Sequence, residues 1–302
     1  MNAPELTLRA RELTLRLGGR SGGPLLMGIV NASADSFSDG GLYTSLEARV
    51  RLASELLAAG ADIIDVGGES ASTERPPLAV PEELALVVPL VERIAGELGA
   101  LVSVDTYKPE VARAAIAAGA RIVNDVSGLR DPELAEVCAG TGAALVIMHT
   151  RAAPRQRLQD PELYADVTTE VMGFLEERVA VAIARGVAHE QLILDPGPDF
   201  AKTPAQTIRL LSEVARLHEL ARPLLMAISR KDFIGALTAR PPRERLPGTL
   251  AALAHGVEQG AHIFRIHDVG AAAEYLAVRA ALAAESEPSR DLALAEEIRY
   301  DR

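Results

Sequence analysis

The sequence predicts an α/β protein, a (β/α)8 barrel of the TIM type with an N-terminal β-hairpin, on three observations. Eight short apolar runs alternate with amphipathic stretches, the pattern of repeated βα units rather than of a sandwich. Each run ends in polar residues, where a barrel places its chemistry. No Gly-rich dinucleotide fingerprint follows the first run, which counts against an open doubly wound sheet. A chain of 302 residues suits one such unit, because these barrels commonly exceed 250 residues.

Taken in order, Leu6–Ala10 and Glu12–Leu17 alternate in polarity and predict a hairpin, within residues 1–20, that covers the bottom of the barrel. The barrel itself is expected over residues 21–284. Its strands are the runs Leu25–Ser33, Asp62–Ser70, Leu101–Tyr107, Arg121–Ser127, Ala144–Thr150, Leu192–Gly197, Pro223–Ser229 and Ile263–Asp268. Between them apolar residues recur at helical spacing, as in Leu46, Val50, Leu52, Leu56 and Leu57, or Val111, Ala114 and Ala115. A last helix near Ala271–Ala284 closes the ring. Residues 285–302 form a charged tail with a short apolar stripe at Leu292, Leu294 and Ile298, expected to fray or to dock as a helix. The basic stretch at residues 239–249 is expected to be a solvated connection.

Hydrophobic residues make up 48% of the chain and aromatics only 3%, so aliphatic side chains must fill both core layers. A formal net charge of -11, with no concentrated Lys and Arg, argues against a nucleic-acid partner. The single cysteine, Cys138, allows no disulfide or Cys-based zinc site within one chain and fits a reducing cytoplasm. The N-terminus has no apolar signal region, and no segment has the apolar length of a membrane span. The helices around Thr249–Gly256 and Ala271–Leu282 are rich in Ala and Leu, which suggests outer apolar faces and a homodimer.

The run ends carry Asn31, Asp65, Glu69, Asp105, Asn124, Asp125, His149, Asp195, Arg230, Lys231, Arg265, His267 and Asp268. A single Asp at such a place is commonly a helix cap, which would account for Asp39, Asp131 and Asp268. Asp105, Asn124 and Asp195 differ, because they fall among Val and Leu, where an unpartnered carboxylate is costly. Acid and amide groups on the third, fourth and sixth strands suit a flat heterocycle with adjacent N–H donors. Arg265, His267 and Asn31 suit phosphate oxygens, with Asn31 able to help position a divalent metal. The small-molecule substrate so described is a planar base with an anionic tail.

The segments GIVNASADSFSDGG, DIIDVGGES, SVDTYKPEVARAA, VNDVSG, LDPGPDFAKT, SRKDFIG and RIHD occur in this order over roughly residues 25–270. Together they resemble the dihydropteroate synthase family, which couples a pterin methyl diphosphate to para-aminobenzoate in folate biosynthesis. The resemblance implies that Asp105, Asn124, Asp195 and Lys231 hold the pterin. It further implies that Arg265, His267 and Asn31 take the diphosphate, with Mg2+ at Asn31. The diphosphate leaves first, and an arylamine nitrogen then attacks the methylene carbon. Asp35, in a polar Gly-containing loop of the lid type, is placed to stabilise positive charge. Asp35, Lys231 and Arg265 form the implied catalytic set.

Departures from that family cluster on one side of the site. ESASTERPP replaces a compact loop after the second strand, so the arylamine-wall positions Thr73, Arg75 and Pro76 shift. PDFAK replaces a Gly-rich segment and leaves Phe200 flanked by Asp199 and Ala201, with less backbone freedom. Asp232 stands where the family has a serine that receives the substrate carboxylate. Two like charges about 5 Å apart, at an effective dielectric near 20, repel by roughly 3 kcal/mol. A nearby cation such as Arg75 would offset this, or Asp232 would cap the next helix. Two alternatives stand beside the transferase reading: a diverged pterin-binding paralogue without activity, and a pterin-dependent corrinoid methyltransferase domain.

Overall fold

A computed structural model of the chain describes residues 3–19, 23–32, 45–69, 76–283 and 292–294. Asp35, Thr73 and Arg75 lie outside the described residues. The chain opens with β1 (Leu6–Ala10) and β2 (Leu13–Leu17), an antiparallel hairpin pairing Leu6 with Leu17 and Ala10 with Leu13. Its turn places Arg11 at φ 59, so the second strand starts one residue later than the sequence pattern suggests.

The eight-stranded sheet comprises β3 (Leu25–Asn31), β4 (Ile63–Gly67), β5 (Leu101–Asp105), β6 (Ile122–Asp125), β7 (Ala144–Met148), β8 (Leu192–Asp195), β9 (Leu225–Met226) and β10 (Ile263–Ile266). The order is β8-β7-β6-β5-β4-β3-β10-β9, every pair being parallel, and a Leu194–Leu224 bridge closes the ring between β8 and β9. The seventh predicted run shrinks to two strand residues. Pro223 lacks an N–H, Leu224 turns to β8, and the chain after Met226 breaks from its neighbours to form the rim.

Helices α1 (Leu46–Ala58), α2 (Val80–Leu98), α3 (Pro109–Ala117), α4 (Glu133–Thr141), α5 (Val167–Ala184), α6 (Pro204–Ser212), α7 (Asp232–Thr238), α8 (Leu246–Glu258) and α9 (Val269–Leu282) fill the intervals. Their starts carry local signals: Ser45 accepts from Ala48 N–H, Asp166 from Thr169 N–H, and Thr203 with Gln206 forms a reciprocal box at α6. Cys138 is buried and free on α4. Leu292 and Leu294 are exposed and not helical.

Two core layers follow from strand alternation. Leu26, Val30, Ile64, Val66, Val102 and Val104 face the helices, with Val87, Leu90, Val111 and Leu253 packed behind them. Met27, Ile63, Ile122, Ala144, Val146, Ile193, Leu225 and Ile263 fill the lower interior, plugged from below by Leu8, Ala10 and Leu17 of the hairpin. His262 joins the hairpin to the barrel through Pro4 O at 3.0 Å.

Candidate active site

Period-two alternation fixes which polar residues enter the barrel. Counting up from the inward residues Met27, Ile63, Ile122, Ile193, Leu225 and Ile263 places Asn31, Asp65, Asn124, Asp195, Ser229, Arg265 and His267 on the same inward face, nearer the C-terminal rim. Asp105 sits opposite Asn124 in register and Gly67 on its other side. The interior is therefore apolar below and polar above.

Arg265 organises this upper layer. Its Nε donates to Asp65 Oδ2 at 2.6 Å and its Nη2 to Asp105 Oδ2 at 3.0 Å, while Asn124 Nδ2 donates to the same Asp65 oxygen at 3.2 Å. Asp65 is fully buried, and its Oδ1 has no partner among the described residues, nor has Ser103 Oγ beside it in register. Burial drives the Asp105 carboxyl upward against the pull of Arg265, and Asp65 adds to the rise. Burial also opposes the charge on Arg265, but Asp65 and Asp105 outweigh it and hold the guanidinium above its usual pKa. Arg265, expected on the phosphate side, also pairs with the inward carboxylates and so joins the two zones.

Asp195 accepts from Gly197 N–H at 2.7 Å through Oδ1, and burial pushes its carboxyl up to about 6. Gly197 has φ 65, and a Cβ there would meet His149 O at 2.1 Å, so only glycine fits this turn. Asp199 and Ala201 follow with φ 65 and 51, left-handed backbone in residues that disfavour it. Lys202 is fully buried and tethers the turn, its Nζ 2.8 Å from His149 Nδ1 and donating to Gly197 O at 2.9 Å and Phe200 O at 3.0 Å. Burial lowers Lys202 to about 7 and His149 to about 2, so the imidazole is neutral and accepts from the lysine. His149 thus lies behind the rim rather than on it.

Lys231 Nζ sits 4.3 Å from the centre of the Phe200 ring, an ammonium on an aromatic face. Burial lowers its pKa, opposed by Asp199 and Asp195. His267 Nδ1 is 3.0 Å from Ser229 Oγ, and burial, then Arg230 and Arg265, bring the imidazole down to about 3, so it is neutral near pH 7. Asp268 occupies the residue before α9, but its carboxylate takes a bidentate pair from Arg230, at 3.0 and 2.6 Å, and caps nothing.

The Asp232 charge is paired rather than bare. Asp232 is the first residue of α7 rather than its cap, and its side chain is 58% exposed. The offsetting cation is Arg245 at 3.1 Å, from the stretch expected to be a mere connection; Arg245 also donates to Arg230 O and Lys231 O. A further cluster was not legible as a unit in the sequence. Lys108 Nζ donates to Glu69 at 2.6 Å, Glu83 at 2.5 Å and Leu78 O at 2.7 Å, and Leu78 N–H donates to Glu69 at 2.9 Å. Glu69 and Leu78, nine positions apart, are thereby tied together. Glu69, read only as a strand-end polar residue, and Lys108, three residues past Asp105, were the available signals.

Comparison with known proteins agrees with this geometry. A family model described as pterin binding enzyme matches residues 27–267. The dihydropteroate synthase of Escherichia coli K12 is 42% identical over 267 residues, covering 88% of this chain and 94% of that protein. A structure of Xanthomonas albilineans dihydropteroate synthase with 4-aminobenzoic acid superposes with a TM-score of 0.84 at 40% identity, covering 93% of this chain and 99% of its own. The same enzyme in complex with 7,8-dihydropteroate gives a TM-score of 0.77 at 41% identity, covering 86% and 94%. Fold and site define a pterin-binding barrel enzyme, and the chain belongs to the pterin binding enzyme family. Within that family it is a transferase of the dihydropteroate synthase type, moving a pterinylmethyl group in folate biosynthesis. The inactive-paralogue and corrinoid methyltransferase alternatives are not favoured by these relatives.

Proposed function

We propose that this chain condenses 6-hydroxymethyl-7,8-dihydropterin diphosphate with para-aminobenzoate, releasing diphosphate. The observation that carries the reading is the inward ring of Asp65, Asp105, Asn124, Asp195 and Arg265 above an apolar barrel floor. Such a slot accepts the N–H groups of a flat ring, and Asp195, Asn124 and Asp105 are its acceptors, with Lys231 over Phe200 as a cationic wall. Arg265 and neutral His267 face the diphosphate; Arg265 neutralises it as the methylene C–O bond breaks, and His267 donates one hydrogen bond. The electron pair leaves with the diphosphate. The arylamine nitrogen then bonds to the methylene carbon and gives up a proton to solvent. In this reading Asp35 would stabilise the cationic carbon between the two steps, and Thr73, Arg75, Phe200 and Asp232 would contact the arylamine.

Asn31 ends β3 on the inward face. No group of three or more His, Cys, Asp or Glu among the described residues is placed to hold a metal, so one amide oxygen fits Mg2+ only when the diphosphate supplies most of the ligands. Held by Asn31 together with the diphosphate, a divalent cation would supply positive charge that offsets the charge of the leaving group. The chain works as hairpin (1–20), barrel (21–284) and tail (285–302), in the cytoplasm, as a homodimer. No helix among the described residues is long and apolar enough to cross a membrane.

The test is diphosphate release with para-aminobenzoate by the parent and by Asp232→Ser. Because Arg245 offsets the Asp232 charge, the two KM values for para-aminobenzoate should agree within about threefold. A hundredfold gain in the serine variant, the size of roughly 3 kcal/mol, would show that Asp232 repels the substrate after all. A parent that binds the pterin diphosphate yet releases no diphosphate with any arylamine would sink the whole reading.

A further inference from the structure

Asp199 belongs to neither the pterin ring nor the diphosphate side, yet its environment is unusual. It is a non-glycine residue at φ 65, in a turn where its own N–H donates to Thr207 Oγ1 at 3.0 Å. Its carboxylate crosses to another loop: Oδ2 accepts from Asp232 N–H at 2.6 Å and Phe233 N–H at 3.3 Å, the first N–H groups of α7. Its other oxygen, Oδ1, is buried without a partner among the described residues. A left-handed Asp with one orphaned oxygen costs free energy, so what it holds in place must matter to the fold or to the site.

It holds the two sides of one contact. Phe200 follows Asp199 directly, with its N–H on Gly197 O and its carbonyl on Lys202 Nζ, so the ring cannot move without the turn. Lys231 directly precedes Asp232 and occupies the residue before α7, where no side chain of its own caps the helix. The Asp199 carboxylate is therefore the cap of α7, lent by the turn that carries Phe200. It fixes the spacing at which the Lys231 ammonium lies 4.3 Å from the Phe200 ring. Asp199 is also the foremost of the negative charges that favour the protonated form of Lys231.

We propose that Asp199 is a positioning residue for the reaction: it clamps the β8–α6 turn to the start of α7 and so sets the Lys231–Phe200 wall of the site. The inference rests on the reading that Lys231 and Phe200 contact substrate. The clamp requires a short acceptor at position 199 that tolerates left-handed backbone. Asn meets that requirement without the charge, whereas Gly relieves the backbone and removes the acceptor.

Asp199→Gly and Asp199→Asn, prepared in the full chain, separate these parts. Amide hydrogen exchange at Asp232 and Phe233 should be slow in the parent and in Asp199→Asn, and fast in Asp199→Gly. In steady-state diphosphate release, Asp199→Gly should lose about thirtyfold in kcat/KM, a loss typical of a small misplacement, while Asp199→Asn recovers to within about threefold. Both variants should bring the alkaline limb of the pH–rate profile to lower pH, because each removes the carboxylate charge near Lys231; a merely structural cap would leave that limb where it is. Unchanged amide exchange in Asp199→Gly overturns the clamp. Fast exchange with parental kcat/KM and pH profile overturns the positioning role. A parent without diphosphate release defeats the functional reading instead, which distinguishes the two failures.

Discussion

Arg265 neutralises two inward carboxylates at once, and removing it leaves Asp65 and Asp105 facing each other with no cation between them. Breaking a buried pair in this way costs about 4 kcal/mol, so Arg265→Met should lower the urea midpoint by that equivalent and abolish diphosphate release. Full stability in the variant would mean that the network is held from elsewhere. Asp195 gives a pH signature. Its folded-state pKa of about 6 lies above the unfolded value near 4, so native protein binds the extra proton between them, and its contribution to stability falls as pH rises through that window. Binding has the opposite sense, since ring N–H groups need the ionised acceptor. Pterin affinity should be level above pH 7 and weaken by about tenfold per unit below pH 6, with the slope lost in Asp195→Asn. Titration calorimetry showing flat affinity from pH 5 to 8 would exclude Asp195 as that acceptor. Asp105, Asn124 and Asp195 were legible from the sequence because polar residues inside apolar strands demand partners. The Asp65–Arg265 contact was not, because it joins residues 200 positions apart.

At the level of elements, the turn after β8 is tightly constrained. Gly197→Ala would place a methyl group against His149 O and force a left-handed alanine, so a loss of about 3 kcal/mol and of activity is expected in thermal unfolding and turnover assays. An unchanged Tm would show that the turn has room to move. Strand ends, caps such as Ser45 and Thr203, and the covering hairpin could be read locally, since each depends on alternation or on a residue three positions away. The capping of α7 could not. The sequence offered Asp232 as a self-supplied cap, whereas the carboxylate comes from Asp199, 33 residues earlier, and Asp232 turns out to Arg245.

At the scale of the whole molecule, the outer helices carry exposed aliphatic side chains. Leu237 on α7 and Val278 and Leu282 on α9 are 69%, 61% and 84% exposed. Large aliphatic side chains exposed on outer helices of a barrel fit the self-complementary face of a twofold dimer. The double variant Val278→Glu with Leu282→Glu should therefore run as a monomer in sedimentation analysis where the parent runs as a dimer. A parent that is itself monomeric at micromolar concentration would end that proposal. The net charge of -11 adds repulsion between copies that is screened by salt, so any dimer should tighten as ionic strength rises.

The sequence by itself determined the βα repeat, the hairpin, the inward parity of the polar residues and the pterin-family signature, because each is written in spacing along one strand or one helix. Tertiary structure alone decided how the charges are shared. Closing the barrel brings β10 beside β3 and faces Arg265 toward Asp65 and Asp105, which ties an arginine expected to serve phosphate to the carboxylate slot as well. It also brings the Asp199 turn onto α7 and Arg245 onto Asp232, and neither pairing leaves a local trace. Electrostatic partners are chosen by distance in space, and at separations of 13 to 200 residues the closed ring is what sets that distance.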